Sequence, residues 1–276
     1  MRYKLVVSDM DGTLLDGTQE ITTQNKDAID MILENDMKFA IASGRMYCSA
    51  KNHVDYLNTD IPIIACNGAM IKSTSGELIY SNTIETEVAL KILEILDKHD
   101  VYYQAQHSEL LFSKDLGSKG RGESQKLKAY MKTLDNVVTK KDFTEDILKN
   151  NILKFTVMDE ANPERLVGIR EELSKIKGIK MTSSMTCNIE IMSEDVDKGI
   201  ALDMLAKHLN ICSDEIIAVG DNYNDIEMLK YAGLGVAMGN AQEDVKKIAD
   251  FITTSNDESG FANAVFENLC SAEQIG

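Results

Sequence analysis

Short apolar runs alternate along this chain with longer stretches in which apolar residues recur every three or four positions. Residues 4–8, 39–43 and 62–66 are almost continuously apolar and too short for helices, so they read as buried strands. Between them, residues 23–35 place Ala28, Ile29, Ile32 and Leu33 on one helical face, and residues 46–57 read as a second helix. Strands apolar on both faces and separated by helices predict a parallel sheet covered on both sides.

The rhythm changes after Asn67-Gly68-Ala69. Residues 69–73 and 78–81 read as a hairpin around Ser75-Gly76. Residues 85–98 form a helix with Ala89, Ile92, Leu93 and Leu96 on one face, and two adjacent strands follow near 101–113. The polar stretch KDLGSKGRGESQK reads as a loop. A strand at 151–158, a helix at 163–175 and a strand pair at 180–183 and 187–192 complete an α+β module with an open, mostly antiparallel sheet. The first rhythm then resumes. A helix at 198–209, with Ala201, Leu202, Leu205 and Leu209 on one side, leads into strands at 215–220, 234–238 and 251–253 and helices at 224–231, 241–249 and 260–269. The predicted fold class is therefore α/β: a Rossmann-like doubly wound parallel-sheet core, residues 1–82 and 191–276, interrupted by an inserted α+β cap, residues 83–190.

A chain of 276 residues has room for two such domains, and 43% hydrophobic with 27% charged residues is ordinary for a globular protein. The formal net charge of −16 narrows the partners. Such a surface repels phosphate backbones and anionic bilayers, so neither nucleic acid nor membrane is expected as a partner, and a small anionic ligand would need locally placed cations. The five cysteines are scattered without CxxC spacing, which reads as reduced thiols in a cytoplasm. The opening MRYKLVVSDMDG carries charges inside its apolar run and does not read as a secretion signal. No run nears the ~20 apolar residues of a membrane span. A cytoplasmic location is expected.

In open α/β sheets ligands bind beyond the carboxyl ends of the strands, and here those ends carry polar residues. Asp9 and Asp11 flank Met10 just after the first strand, followed by Gly12 and Thr13. One carboxylate of such a pair can be a nucleophile for phosphoryl transfer and the other a proton donor; a capped turn is the plainer alternative. Ser43-Gly44-Arg45 follows the second strand, where a hydroxyl near a helix start can donate to a phosphate oxygen or simply cap the helix. Lys198 opens a helix, an unfavourable place for a cation unless an anion lies near; a solvated surface lysine is the alternative. Gly220-Asp221-Asn222-Tyr223-Asn224-Asp225 crowds two carboxylates and two amides into one turn, a hard-oxygen set that suits Mg²⁺.

Together, DMDGT, IASGR, DKG and GDNYND, in this order, resemble the four motifs of the haloacid dehalogenase-like phosphatase superfamily. CNGA at 66–69, NIEIM before DKGIAL, and AGLGVAMGNAQEDVKKIADFIT resemble its Cof-type branch, which carries a large inserted cap. The resemblance spans nearly the whole chain. It departs at Ser193-Glu194, where the family often has proline, a matter of loop stiffness. It implies Asp9 as nucleophile and Asp11 as general acid and base. It implies Mg²⁺ held by the Asp9 carboxylate, the Asp11 backbone carbonyl and Asp221, with Asp225 in support. Ser43, Gly44, Lys198 and Asn224 are implied as phosphate-binding residues. The implied activity is hydrolysis of a small phosphorylated metabolite, a sugar phosphate or phosphorylated cofactor, through an aspartyl-phosphate, with the cap acting as a lid. A phosphosugar mutase and a non-catalytic phosphometabolite sensor are the competing readings. Lys154, Asn188 and the 114–127 loop are candidate cap contacts, and Asn67 a candidate in the core. The four histidines show no ligand spacing and receive no role.

Overall fold

The computed structural model describes residues 2–115, 136–183 and 186–270. The chain divides into two compact units, one formed by Met1–Tyr80 with Asp197–Gly276 and the other by Ser81–Val196.

The first unit opens on β1 (Leu5–Ser8), every residue of which is buried. Helix α1 (Thr23–Glu34) starts at Thr22, whose hydroxyl accepts the Asn25 N–H at 3.2 Å, and buries Ala28, Ile29 and Ile32. It leads to β2 (Lys38–Ala42), which pairs in parallel with β1. The helix expected at 46–57 is shorter, α2 (Tyr47–Val54), and ends in a tighter 3₁₀ turn over Asp55–Leu57. Next come β3 (Pro62–Ala65), β4 (Met70–Ser73) and β5 (Leu78–Ser81), with β4 antiparallel to β3.

The inserted unit contains α3 (Thr86–Lys98), β6 (Tyr102–Gln106), β7 (Leu111–Lys114), β8 (Val137–Lys140), α4 (Thr144–Lys149), β9 (Lys154–Met158), α5 (Arg165–Leu173), β10 (Ile179–Thr182) and β11 (Asn188–Ser193). Its six-stranded sheet runs β10-β11-β9-β6-β7-β8 and is antiparallel except between β7 and β8. Alternate residues form the core of this unit. Tyr103, Phe112, Phe143, Phe155 and Ile189 pack with Ile92 and Leu96 of α3, and the Tyr103 and Phe143 rings meet edge to face at 5.6 Å. Nothing in the sequence pattern announces β8 or α4. Both are short, and no residue of β8 is buried, so neither carries a strong period. The return to the core, expected at 191, falls inside β11, which continues to Ser193.

The chain then re-enters the first unit through α6 (Lys198–Leu209), followed by β12 (Ile216–Gly220), α7 (Ile226–Tyr231), β13 (Leu234–Ala237), α8 (Glu243–Ile248), β14 (Phe251–Ile252) and α9 (Gly260–Cys270). The sheet is eight-stranded, in the order β14-β13-β12-β1-β2-β3-β4-β5, and is parallel from β14 through β3. Strand β1 sits between β2 and β12, where the winding reverses, so the carboxyl ends of β1, β2 and β12 lie side by side. Among the described residues no helix is long and apolar enough to cross a membrane.

A buried asparagine fixes the loop after β1. The Asn25 amide donates to the Leu14 carbonyl at 2.9 Å, and its oxygen accepts the Ala262 N–H at 3.1 Å. This joins α1, the β1 loop and the start of α9. Asn25→Ala strands both backbone groups and should lower the unfolding free energy by about 2–4 kcal/mol in a urea titration. A loss below about 0.5 kcal/mol would mean the loop is anchored by other contacts.

Candidate active site

Strand β1 ends at Ser8, and the Asp9 N–H still bonds to the Val219 carbonyl of β12 at 2.9 Å. The Asp9 side chain is thus held at the strand end, 5% exposed. The chain then turns at Gly12, whose φ of +83° suits glycine. A Cβ there would stand 2.7 Å from Asp221 Oδ2, so this glycine also lets the two loops close. The Thr13 hydroxyl donates to Asp221 Oδ1 at 3.0 Å and completes the junction.

Lys198, the first residue of α6, is fully buried. Its ammonium donates to Asp9 Oδ1 and Asp225 Oδ1, both at 2.6 Å. A buried ammonium survives only when paired and hydrogen-bonded, and this one has two carboxylates. Burial pulls the Lys198 amine down, but Asp225 and Asp9 outweigh it and hold it above its ordinary value. The expected anion beside this lysine is therefore, in part, the protein itself. The second oxygen of Asp225 accepts the N–H groups of Asp221 and Asn222, each at 3.0 Å, in a capping box that shapes the turn after β12.

Asp9, Asp221 and Asp225 each bring a carboxylate oxygen within 4.8 Å of the others. One ammonium against this set leaves an excess of negative charge in a buried place. Burial, chiefly, with Asp225, Asp221 and Asp11 adding, pushes the Asp9 carboxyl well up, against the pull of Lys198. Burial and Asp225 likewise push the Asp221 carboxyl up to about 6. Hard oxygen donors with uncompensated charge fit a small divalent cation.

Asp11 lies apart from this cluster. Its carboxylate is exposed and gripped through both oxygens by Arg45, at 2.8 Å from Nε and 2.6 Å from a terminal nitrogen. The same guanidinium reaches Gln19 Oε1 at 2.5 Å and donates to His53 Nε2 at 2.7 Å. Burial first, then Arg45, lowers His53 and keeps its ring neutral to accept that bond. The sequence pattern gives Arg45 and His53 no role. The proximity of Arg45 to Ser43 was the available signal.

Ser43 continues β2, its N–H bonded to the Ile64 carbonyl at 2.8 Å and its hydroxyl accepting the Arg45 N–H at 3.1 Å. The Asn224 amide donates to Asn67 Oδ1 at 3.0 Å. The structure thus brings Asp9, Lys198, Asp221 and Asp225 into one cluster, with Thr13 at its edge. Gly44, Asn67 and Asn224 adjoin one another. Lys154 and Asn188 belong to the inserted unit, on β9 and β11, where Lys154 pairs with Glu190 at 3.1 Å. Residues 116–127 of the expected cap loop lie outside the described residues; Lys114, which is described, pairs with Asp97.

The family profile of haloacid dehalogenase-like hydrolases matches residues 6–265. The chain is a haloacid dehalogenase-like hydrolase. Among curated proteins it is 30% identical over 282 residues to phosphatase YwpJ of Bacillus subtilis, covering 94% of this chain and 98% of that one. It is also 30% identical over 262 residues to the B. subtilis 5-amino-6-(5-phospho-D-ribitylamino)uracil phosphatase YcsE, covering 95% and 94%. A solved haloacid dehalogenase-like hydrolase from Bacteroides thetaiotaomicron superposes with a TM-score of 0.84 at 30% identity, covering 96% of this chain and 99% of that one. This haloacid dehalogenase-like hydrolase accordingly has the mixed α/β fold, with its parallel-sheet core, that the sequence led us to expect.

Removing Asp225 takes away one of the two carboxylates that hold the buried Lys198 ammonium and strips the Asp221 and Asn222 N–H groups of their acceptor. Asp225→Ala should cost about 3–5 kcal/mol of unfolding free energy in the metal-free protein, measured by denaturant titration. Because the folded-state value of Asp221 lies above its ordinary 3.8, at about 6, the folded state binds this proton more tightly than the unfolded state. Its share of stability is present below pH 4 and is lost as pH rises to about 6. Metal-free Asp221→Asn should therefore gain stability over the parent at pH 7, by about 1–3 kcal/mol, and the gain should vanish near pH 4.

Proposed function

We propose that the protein is a Mg²⁺-dependent phosphatase of a small phosphorylated metabolite, a sugar phosphate or phosphorylated cofactor, working through an aspartyl-phosphate on Asp9. The observation that carries this reading is the buried Asp9 carboxylate, bonded at 2.6 Å to an ammonium that also bonds Asp225, within a cluster of three carboxylates. A single carboxylate capping a turn needs none of this.

The Asp9 and Asp221 carboxylates, the Asp11 backbone carbonyl and Asp225 in support are the groups to hold the cation, which when bound offsets the repulsion between an anionic nucleophile and an anionic phosphate. Lys198 holds Asp9 in place and presents positive charge where the phosphoryl group is to sit. Ser43 accepts one backbone N–H, leaving its hydroxyl proton to donate to a phosphate oxygen. Asn224, with the Gly44 backbone, completes that pocket. An Asp9 oxygen attacks phosphorus, the phosphorus–oxygen bond to the substrate breaks, and Asp11 gives the departing oxygen its proton. Asp11 then takes a proton from the water that cleaves the aspartyl-phosphate, and inorganic phosphate leaves. Arg45 orients the ionised Asp11, the form that takes the proton from water in the second step.

The inserted unit is assigned the choice of substrate and the exclusion of water, the usual work of a lid. Phosphomonoester hydrolysis is supported by the names of YwpJ and YcsE, and a small phosphorylated metabolite by the phosphoribitylaminouracil in the name of YcsE. With a net charge of −16, attraction of an anionic substrate falls to local charge, that of Lys198 together with the cation the carboxylates would hold.

A phosphate-release screen over phosphorylated metabolites, with Mg²⁺ present, tests this reading. We expect release from p-nitrophenyl phosphate without any bisphosphate activator, abolished by EDTA and restored by Mg²⁺. A requirement for the activator would point to a mutase, and binding without release to a sensor. Asp9→Asn should lower kcat by at least about 10³-fold while the circular dichroism spectrum is unchanged. Near-normal turnover by this variant would remove Asp9 from the mechanism.

A further inference from the structure

The turn between β3 and β4 is unusual and has no part in the carboxylate chemistry of the cluster. Cys66, Asn67 and Gly68 have φ values of +52°, +59° and +103°, three consecutive residues in the left-handed region. Glycine enters that region freely and asparagine more readily than most residues, whereas cysteine does not. Such a conformation persists only where the surroundings over-determine it.

The surroundings here are the elements that carry Ser43, Lys198 and Asn224. The Cys66 N–H donates to the Arg45 carbonyl at 2.9 Å and the Asn67 N–H to the Ser43 carbonyl at 3.0 Å, so the turn grips both ends of Ser43-Gly44-Arg45. Asn67 Oδ1 lies 2.9 Å from where a Gly44 Cβ would be, and it accepts the Asn224 amide at 3.0 Å. At Gly68 a Cβ would stand 2.3 Å from the carbonyl oxygen of Asp197, the residue that caps α6 immediately before Lys198. Asn67 itself is 2% exposed. Three loops that are far apart in sequence therefore meet on one buried turn, and its carboxamide is the side-chain tie to Asn224.

We infer that Asn67 is a positioning residue for the phosphate pocket: its backbone sets the Ser43 loop and its side chain sets the Asn224 amide. The inference rests on the phosphatase reading, since it takes Ser43 and Asn224 as phosphate ligands. Asparagine suits this position because it combines tolerance of positive φ with an acceptor for Asn224. Glycine would supply only the first property and alanine neither.

Asn67→Gly separates the two roles, because it keeps the backbone and removes the carboxamide. We expect KM for p-nitrophenyl phosphate and the dissociation constant of inorganic phosphate, measured calorimetrically with Mg²⁺ present, both to rise about tenfold, with kcat changed by less than about threefold. Asn224→Ala should weaken phosphate binding similarly, and the double variant should be no worse than Asn224→Ala alone, because the two amides act as one unit. Asn67→Ala should add a loss of thermal stability that Asn67→Gly does not show. Unchanged KM and phosphate affinity in Asn67→Gly, or effects that multiply in the double variant, would overturn the assignment while leaving the phosphatase reading intact. A parent protein that neither binds phosphate nor releases it from any ester would overturn both.

Discussion

The architecture of the site depends on one buried cation. Lys198 has no water to solvate it and is shared at 2.6 Å between Asp9, at the end of β1, and Asp225, in the turn after β12. Neither carboxylate would sit comfortably in that place without it, and it could not stay charged without them. The turn after β12 takes its shape from the other oxygen of Asp225, and Asp221 takes its position from that turn. A segment at the start of the chain is thus held to two segments near its end by a single ammonium. The fold supplies the opportunity by bringing β1 and β12 together where the winding reverses.

The remaining imbalance gives the site its chemistry. Three carboxylates around one ammonium are more than structure needs. The surplus charge makes the cluster receptive to a divalent cation and explains why burial and mutual repulsion raise Asp9 and Asp221. Asp11 is treated differently. It stays at the surface, away from the cluster, and Arg45 holds both its oxygens. Two carboxylates two residues apart therefore occupy distinct environments, one buried against an ammonium and the other exposed against a guanidinium.

Much of this was legible in the sequence because the decisive residues sit at strand ends, and strand ends can be read from apolar runs. Asp9, Ser43 and Asp221 each come directly after such a run, and Lys198 stands out as a cation at a helix start. The contacts of Arg45 were not legible. Gln19 and His53 reach it through loop and helix geometry that has no period, and Gln19 has a positive φ that no motif marks. The Asn67 turn was visible as an asparagine-glycine pair within CNGA, and Asn67 as a candidate in the core, but not as a joint between loops. Its significance lies in contacts made across the fold. In the inserted unit, β8 and α4 are short and partly exposed, so packing decides them more than pattern does.

The way the chain returns from the inserted unit has a bearing on how such proteins diversify. The second unit ends at Val196, and Lys198 is only two residues further on. Between them Asp197 is anchored twice, by its side chain accepting the Ile200 N–H at 2.8 Å and by its carbonyl seated against Gly68. A splice point pinned so firmly insulates the helix beyond it. Lengthening, trimming or replacing the inserted segment can proceed, generation after generation, without loosening the lysine that ties β1 to the turn after β12.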